Sequence, residues 1–482
     1  MTTLPTTPNT PTSTRPLTWL VAVGFFMQSL DSTIVNTALP GMAINLGESP
    51  LRMQSVVIAY VLAVALLIPA SGWIADRFGT RRVFFAAIVL FTLGSLACAE
   101  SATLGQLVAA RALQGVGGSM LLPVGRLAVL RAVKREDFLD AMAFIAIPGM
   151  IGPLVGPTLG GWLVEAASWH WIFLINIPVG IVGGIATLKF MPDFRDSDQP
   201  PFDIPGFTLL AIGMVMVTLS LEGLAELGFQ QAAVAVLLVG GLICITAYWL
   251  HATRAQYPLF PLSLFHTHSY AVGVTGNLFA RLGIGAMPLL LPLLLQVSFG
   301  FTPLEAGLSM IPIALAGMLS RQTVSPLVRR FGYRNVVAGN TVLLGLMIAS
   351  FALLTPAAPH WVRILLFAAF GAVNAIQFTA MNTLALKDLD SAQASSGNGL
   401  LSMVMQLAMA LGVAAGSAIL AAFASHYELR LHVTTDPLQA FHATFICVGL
   451  MTAASAGIFL QLDKDRAERG TTGPAQAHET LD

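Results

Sequence analysis

The sequence is short of charge: 10% of its 482 residues are Asp, Glu, Lys or Arg, against roughly 25% in soluble domains. Apolar residues make up 56%. A water-soluble chain of this length could not cover its cores with so little polar surface, whereas lipid solvates apolar side chains directly. Charge of one sign is also missing, since 24 basic residues face 24 acidic ones. That balance argues against nucleic acid or a strongly acidic partner. Cysteine is nearly absent. The three present, Cys98, Cys244 and Cys447, lie in apolar stretches, which excludes a disulfide framework and a cysteine metal site. No H-E-x-x-H, G-x-S-x-G or G-x-x-x-x-G-K-[ST] occurs, so hydrolysis and ATP-driven pumping lack their machinery, and no cofactor or metal is called for. Period-two alternation is missing as well, which excludes a β-barrel.

What the chain does have is long apolar runs. A helix needs about 20 apolar residues to cross a hydrocarbon core of roughly 30 Å. Windows of that kind fall near 17–38, 53–74, 82–99, 104–125, 140–163 and 171–191. Two follow near 205–222 and 231–250, and six more near 269–298, 304–322, 335–356, 361–384, 396–424 and 439–462. The expectation is an all-α integral membrane protein of fourteen spans. Its parts are an N-terminal half (17–191), a two-helix connector (205–250) and a C-terminal half (269–462). The window at 269–298 is long enough to be tilted or broken. Residues 1–16, Thr/Pro-rich with Arg15 as their one charge, and the charged stretch 463–482 read as disordered tails. The first apolar run continues from Leu17 past Asp31 to Leu39 without a small-residue cleavage pattern, so it reads as a span and not as a cleaved signal.

Lys and Arg orient the bundle. With both termini cytoplasmic, 19 of the 24 basic residues fall on the inside and three (Arg52, Arg363, Arg430) on the outside, with Arg111 and Arg281 within spans. The chain also repeats itself. Gly47-Glu-Ser-Pro50-Leu51 returns 253 residues later as Gly300-Phe-Thr-Pro303-Leu304, and Arg77-Phe-Gly79-Thr-Arg81 returns at the same offset as Arg330-Phe-Gly332-Tyr-Arg334. Repeated six-span halves are the mark of transporters that rock about a central site. No ring of selectivity carbonyls suggests a channel, and the outer loops are too short for the soluble domain a receptor or scaffold would carry.

Two stretches stand out. In the fifth span Gly152, Gly156 and Gly160 recur every fourth residue, with Pro153, Pro157 and Gly161 in the adjacent row. Such rows let backbones approach closely, and the prolines remove donors and permit bending. A tight crossing and a hinge or seal between halves are both open readings. Gly72-Trp-Ile-Ala-Asp76-Arg77-Phe-Gly79-Thr80-Arg81-Arg82 is placed in the turn between spans two and three. It reads either as plain positive-inside topology or as a latch in which Asp76 exchanges arginine partners between states.

The turn resembles the signature loop of the major facilitator superfamily. The Gly152-x3-Gly156-Pro157-x2-Gly160-Gly161 segment resembles the antiporter signature of its drug–proton exporters. Leu30-Asp31-Ser-Thr-Ile-Val-Asn36-Thr-Ala38-Leu39-Pro40, Arg111-Ala-Leu-Gln114-Gly115-Val-Gly117 and Trp169-His170-Trp171-Ile-Phe173-Leu-Ile-Asn176-Ile-Pro178 are similar to stretches of the fourteen-span branch. The resemblance covers the whole chain, with five signatures in order. Thr80 departs from the pattern where the loop usually has a basic residue, and His170 where an arginine usually stands between the tryptophans. Arg329 stands where Asp76 stands in the first half, so only the N-terminal loop matches the full latch. The resemblance implies proton-driven efflux of small molecules, multidrug export among them, from the inner membrane. An anionic metabolite or metal chelate, such as a carboxylate complex, is the alternative cargo. Nothing demands an oligomer, and a monomer is expected.

The residues themselves say where protons would bind. Asp31 is the one acid well inside a span; Glu165, Glu222 and Glu226 sit near span ends. Ionisable groups in lipid are costly and usually functional. Asp31 lies roughly 21 Å from the inner end of span one, and Arg111 about 10 Å below the outer end of span four, at 1.5 Å per residue. These depths match, so a charge pair broken by protonation of Asp31 is expected, with a static structural pair as the alternative. Arg281 is a second deep cation. With one deep acid and two deep arginines, the cavity suits neutral or anionic solutes better than dications, and Gln114, Arg281, Asn374 and Gln377 are its candidate lining.

Overall fold

In the lipid core each backbone donor and acceptor must find its partner within the protein, and the helix does this within one segment. The computed structural model describes residues 15–133, 138–195, 201–225, 231–389, 391–431 and 437–462, and all regular structure among them is helical. The two tails lie outside these residues apart from Arg15, Pro16 and their continuation into the first helix, and so does Glu226.

The first group comprises α1 (Arg15–Ile34), α2 (Leu39–Leu46), α3 (Gln54–Phe78), α4 (Thr80–Ala99), α5 (Leu104–Ala132), α6 (Phe138–Ala166), α7 (Trp171–Leu174) and α8 (Asn176–Phe190). Then come α9 (Ile204–Ala225) and α10 (Gln231–Ala252). The last group is α11 (His268–Leu293), α12 (Pro303–Ser320), α13 (Val324–Ser350), α14 (His360–Leu386), α15 (Ser391–Leu431), α16 (Leu438–Ala454) and α17 (Ala456–Phe459). Twelve stretches among the described residues are long and apolar enough to cross a membrane, and one of them, Pro303–Leu353, takes in both α12 and α13. The long window at 269–298 ends in a π-helical turn, Leu294–Ser298, just after Pro288 and Pro292, whose missing N–H groups break the regular ladder.

The repeat is visible in the backbone. Among the described residues the glycines with positive φ are Gly47 (67°), Gly79 (97°), Gly300 (71°) and Gly332 (74°), two pairs at the 253-residue offset. Each pair marks the same chain reversal in its half. The loop arginines also match: Arg81 Nε donates to the carbonyl of Met191 just past α8, and Arg334 Nε donates to that of Leu460 just past α17 at 3.1 Å. A cation at a helix C-terminus meets orphan carbonyls and the negative end of the dipole. In each half, then, an arginine ties an early turn to the end of the last helix.

Between the groups, α6 packs on α12 and α3 on α15, while α9 and α10 pack on each other and α9 leans on α15. The core is continuous across the groups at the end of the bundle far from Arg15. Ile34, Val35, Leu39 and Met42 share one cluster there with Leu290, Leu293, Leu294, Ala306, Val413 and Leu420. That end is closed.

Candidate functional site

Asp31, on α1, and Arg111, on α5, are each 1% exposed and form an ion pair at 2.7 Å. Three donors converge on the carboxylate. Arg111 Nη1 reaches Oδ2, while Gln114 Nε2 at 2.8 Å and Asn176 Nδ2 at 3.0 Å both reach Oδ1. The second protons of the two amides go to Ser95 Oγ, at 3.1 and 3.0 Å, and Ser95 passes its own to the carbonyl of Phe173. Arg111 also donates to Gln114 Oε1 at 2.7 Å and to the Val56 carbonyl at 3.3 Å, and its guanidinium lies 4.2 Å over the ring of Tyr60. Six helices, α1, α3, α4, α5, α7 and α8, thus meet on one buried polar knot. The glycines after Arg111 make this possible. A methyl at Gly115 would strike the backbone of Tyr60, and one at Gly117 the backbone of α4, so only glycine lets α3 and α4 close around the charges. The depth argument found Asp31 and Arg111. It did not find Ser95 or Tyr60, and Asn176 was noticed only as part of a motif.

The glycine row of α6 runs along the other side of α1. A methyl at Gly152 would sit 2.7 Å from the Leu30 nitrogen, and methyls at Gly156 and Gly160 would strike Thr33 and the Ile34–Thr37 turn. Three hydroxyls of α1 and the turn after it cross this seam: Ser29 to the Gly149 carbonyl at 2.7 Å, Thr33 to Gly152 at 3.4 Å and Thr37 to Pro157 at 3.2 Å. The first has a plain cause. Gly149 is four residues before Pro153, so its carbonyl has no helical donor, and Ser29 supplies one. The adjacent row faces the other half. Gly161 abuts the backbone of Pro303, and Gly307 of α12 abuts that of Pro157. Thr158 donates to the Gly307 carbonyl at 3.3 Å, and Glu165 accepts from the Leu304 nitrogen at 2.9 Å. Gln296 adds a bond to the Thr37 carbonyl at 3.0 Å. One helix therefore touches the charge-bearing α1 on one row and the opposite half on the next.

The sequence profile of the Major Facilitator Superfamily matches residues 21–413. The chain belongs to that superfamily. Proteins from Serratia proteamaculans and Pectobacterium atrosepticum, which carry the provisional name multidrug resistance protein MdtD, are 51% and 49% identical to it. These alignments cover 94% and 96% of this chain and 94% and 98% of the relatives. Among solved structures, a POT family transporter in complex with a thioalcohol-conjugated peptide gives a TM-score of 0.69 at 16% identity, covering 95% of this chain and 97% of that one. A bacterial homologue of the lysosomal transporter Spinster, inward-facing and unoccupied, gives 0.65 at 14%, covering 95% and 98%. At such identities the likeness is one of fold. This member of the superfamily is a multi-pass membrane transporter and not an enzyme.

The superfamily's signature loop differs here from its sequence reading. Gly72, Asp76 and Arg77 are not in the turn: α3 stays helical through Phe78, and Gly79 alone makes the reversal. Nothing crowds Gly72, whereas a methyl at Gly79 would strike Asp193. Asp76 forms an ion pair with Arg131 of α5 at 2.7 Å, and Arg81 is spent on the Met191 carbonyl. Thr80 is fully buried, donates to the Pro192 carbonyl at 2.8 Å and accepts from the Phe194 nitrogen at 3.0 Å. A basic side chain would not fit that socket.

Two cavity assignments are corrected. Gln114 is fully buried and committed to the Asp31 knot. Gln377, also fully buried, donates to Thr341 Oγ1 at 2.6 Å and accepts from Asn340 at 2.8 Å, tying α14 to α13. Both were placed in the cavity because period alone cannot tell a cavity face from a helix contact. Asn374 is half-buried on α14. Arg281 is 4% exposed and donates through Nε to Asn277 Oδ1 at 2.9 Å.

Proposed function

We propose that this transporter exports small molecules across the bacterial inner membrane by proton-coupled alternating access, with drugs among its cargo as in the name its relatives carry. In this reading it has fourteen spans arranged six, two and six: α6 crosses the bilayer over its 29 residues, and α12 and α13 cross separately. Both termini are cytoplasmic, the end where α6 meets α12 at Gly161 and Pro303 faces outward, and the unit works as a monomer.

The observation that carries the proposal is the double engagement of α1. Its Asp31 face holds the ion pair, and its Ser29–Thr33 face, continued by Thr37 in the turn after it, holds the seam that reaches α12 through α6. As a carboxylate, Asp31 accepts three donors. A protonated Asp31 would bring a donor of its own into that shell, weaken the bonds it accepts and leave Arg111 without a counter-ion. A shift of α1 that relieves this also moves the seam. Binding a proton and opening the far end then become one event, which is the linkage antiport needs.

The test uses everted vesicles with a pH-sensitive dye and a substrate panel. Wild type should move protons when a transported compound is added, and Asp31→Asn should not. Transport without any proton movement eliminates the antiport claim. The exchange of Asp31→Arg with Arg111→Asp separates the roles. Full recovery of coupled transport would make the pair structural and put the proton site elsewhere.

A further inference from the structure

The two deep arginines are treated in opposite ways. Arg111 has a carboxylate, an amide, a carbonyl and an aromatic face around it. Arg281 is almost as buried, yet its hydrogen bonding amounts to Nε on Asn277 Oδ1, itself braced by the Gly273 carbonyl at 2.9 Å. The guanidinium lies 4.6 Å over the ring of Phe378 on α14. Its Nη2 is buried with no partner, and no carboxylate pairs with it among the described residues. A buried cation without a counter-ion is among the costliest arrangements a protein can hold. The aromatic face offsets part of that cost and lies against the plane of the guanidinium, but gives its buried Nη2 no hydrogen-bond partner.

The repeat gives a second, independent observation. At the 253-residue offset Arg281 corresponds to Gln28 on α1, and Gln28 Oε1 is also buried without a partner. The first helix of each half therefore leaves one polar atom open at the same register, a donor in one and an acceptor in the other. Sites in such transporters lie near mid-depth at the interface of the repeats.

We infer that Arg281 is a substrate subsite for a carboxylate, with the apolar body of the solute lying near Phe378. This rests on the export reading and deepens it by naming the class of cargo. The carboxylate would take up the free edge of the guanidinium in a charge-assisted pair, replacing the counter-ion the fold omits. Asn277 holds the side chain in place through Nε and leaves the terminal nitrogens for the ligand.

Binding of benzoate to the full chain in phosphatidylcholine nanodiscs tests this. The zwitterionic lipid supplies no net-anionic headgroup to compete. Benzoate at millimolar concentration should bind saturably, and its neutral isostere benzamide should bind at least about tenfold more weakly. Arg281→Gln should weaken benzoate by a similar factor and leave benzamide unchanged, while Arg281→Lys should restore part of the loss and so guard against misfolding. Equal benzoate affinity in wild type and Arg281→Gln, benzamide binding as tight as benzoate, or no saturable benzoate binding to wild type would each overturn the proposal. No proton gradient enters the measurement, so its failure leaves the Asp31 test standing, and failure of the Asp31 test leaves this one readable.

Discussion

Arg111 Nη1 donates to Asp31 Oδ2 at 2.7 Å, with the two side chains 1% and 0% exposed and 80 residues apart in sequence. Either charge alone at that depth would carry a large desolvation cost, which the pair offsets. Together with Gln114, Asn176 and Ser95 they form a knot in which each proton of the two amides has an acceptor. Such a site tolerates the loss of one member poorly.

Asp31→Asn keeps the shape and removes the charge, leaving Arg111 buried and uncompensated. Breaking a buried pair from one side costs about 3–5 kcal/mol. The melting temperature of the purified protein should drop sharply, and further than for Ser95→Ala, which removes a neutral link. Thermal unfolding in detergent checks the order, and a smaller drop for Asp31→Asn than for Ser95→Ala would contradict it.

The seam between halves makes a steric prediction. At Gly161 a side chain meets the backbone of Pro303, which cannot rotate away, while Gly105 of α5 has open space around it. Gly161→Ala should therefore hold the far end open and lower transport by about tenfold or more, as an overpacking cost of roughly 1–3 kcal/mol against closure allows. Gly105→Ala should leave transport unchanged. Leu304→Cys labelled by a membrane-impermeant thiol reagent reads the gate: labelling should rise in the Gly161→Ala background and stay low with Gly105→Ala.

Two positive-φ glycines separate strain from crowding. Gly47 (φ 67°) has nothing near its missing side chain, whereas Gly79 (φ 97°) lies against Asp193 and Arg195. Gly47→Ala should cost only the backbone term of about 1–2 kcal/mol. Gly79→Ala adds a clash and should cost more, with loss of the bonds that hold segment 191–195 to Thr80 and Arg81. Faster proteolysis within 191–195 in Gly79→Ala, but not in Gly47→Ala, is the expected readout.

At the entrance to the connector, Asp203 accepts from His251 at 2.7 Å, from the Gly206 nitrogen at 2.9 Å and from the Leu259 nitrogen at 3.0 Å. Burial opposes its charge, but the Gly206, Leu259 and His251 contacts outweigh burial and hold the carboxyl below its ordinary range. An acid depressed on folding stabilises fully above its unfolded value of about 3.9 and loses that contribution as pH falls through the lowered one. The difference in melting temperature between wild type and Asp203→Asn should thus be largest near neutral pH and shrink below about pH 4. A difference that is flat across that range would remove the carboxylate from this role.

The sequence by itself determined the class of the molecule. With so little charge and so many apolar runs only a helical bundle in lipid satisfies the backbone, and the 253-residue echo recurs in the glycines at 47/300 and 79/332, which share positive φ. Asp31 and Arg111 were legible because helix rise converts residue count into depth, and opposite charges at one depth in lipid lower each other's cost. Azimuth is what residue count cannot give. Which side of a helix meets which neighbour depends on packing among helices far apart in sequence, so Gln114 and Gln377 looked like cavity lining and are structural ties. The same limit hid Ser95 and Tyr60. Only the tertiary structure decided that α1 carries the charge pair on one face and the glycine seam on the other, and that of two buried arginines one is enclosed by partners while the other has a terminal nitrogen without one.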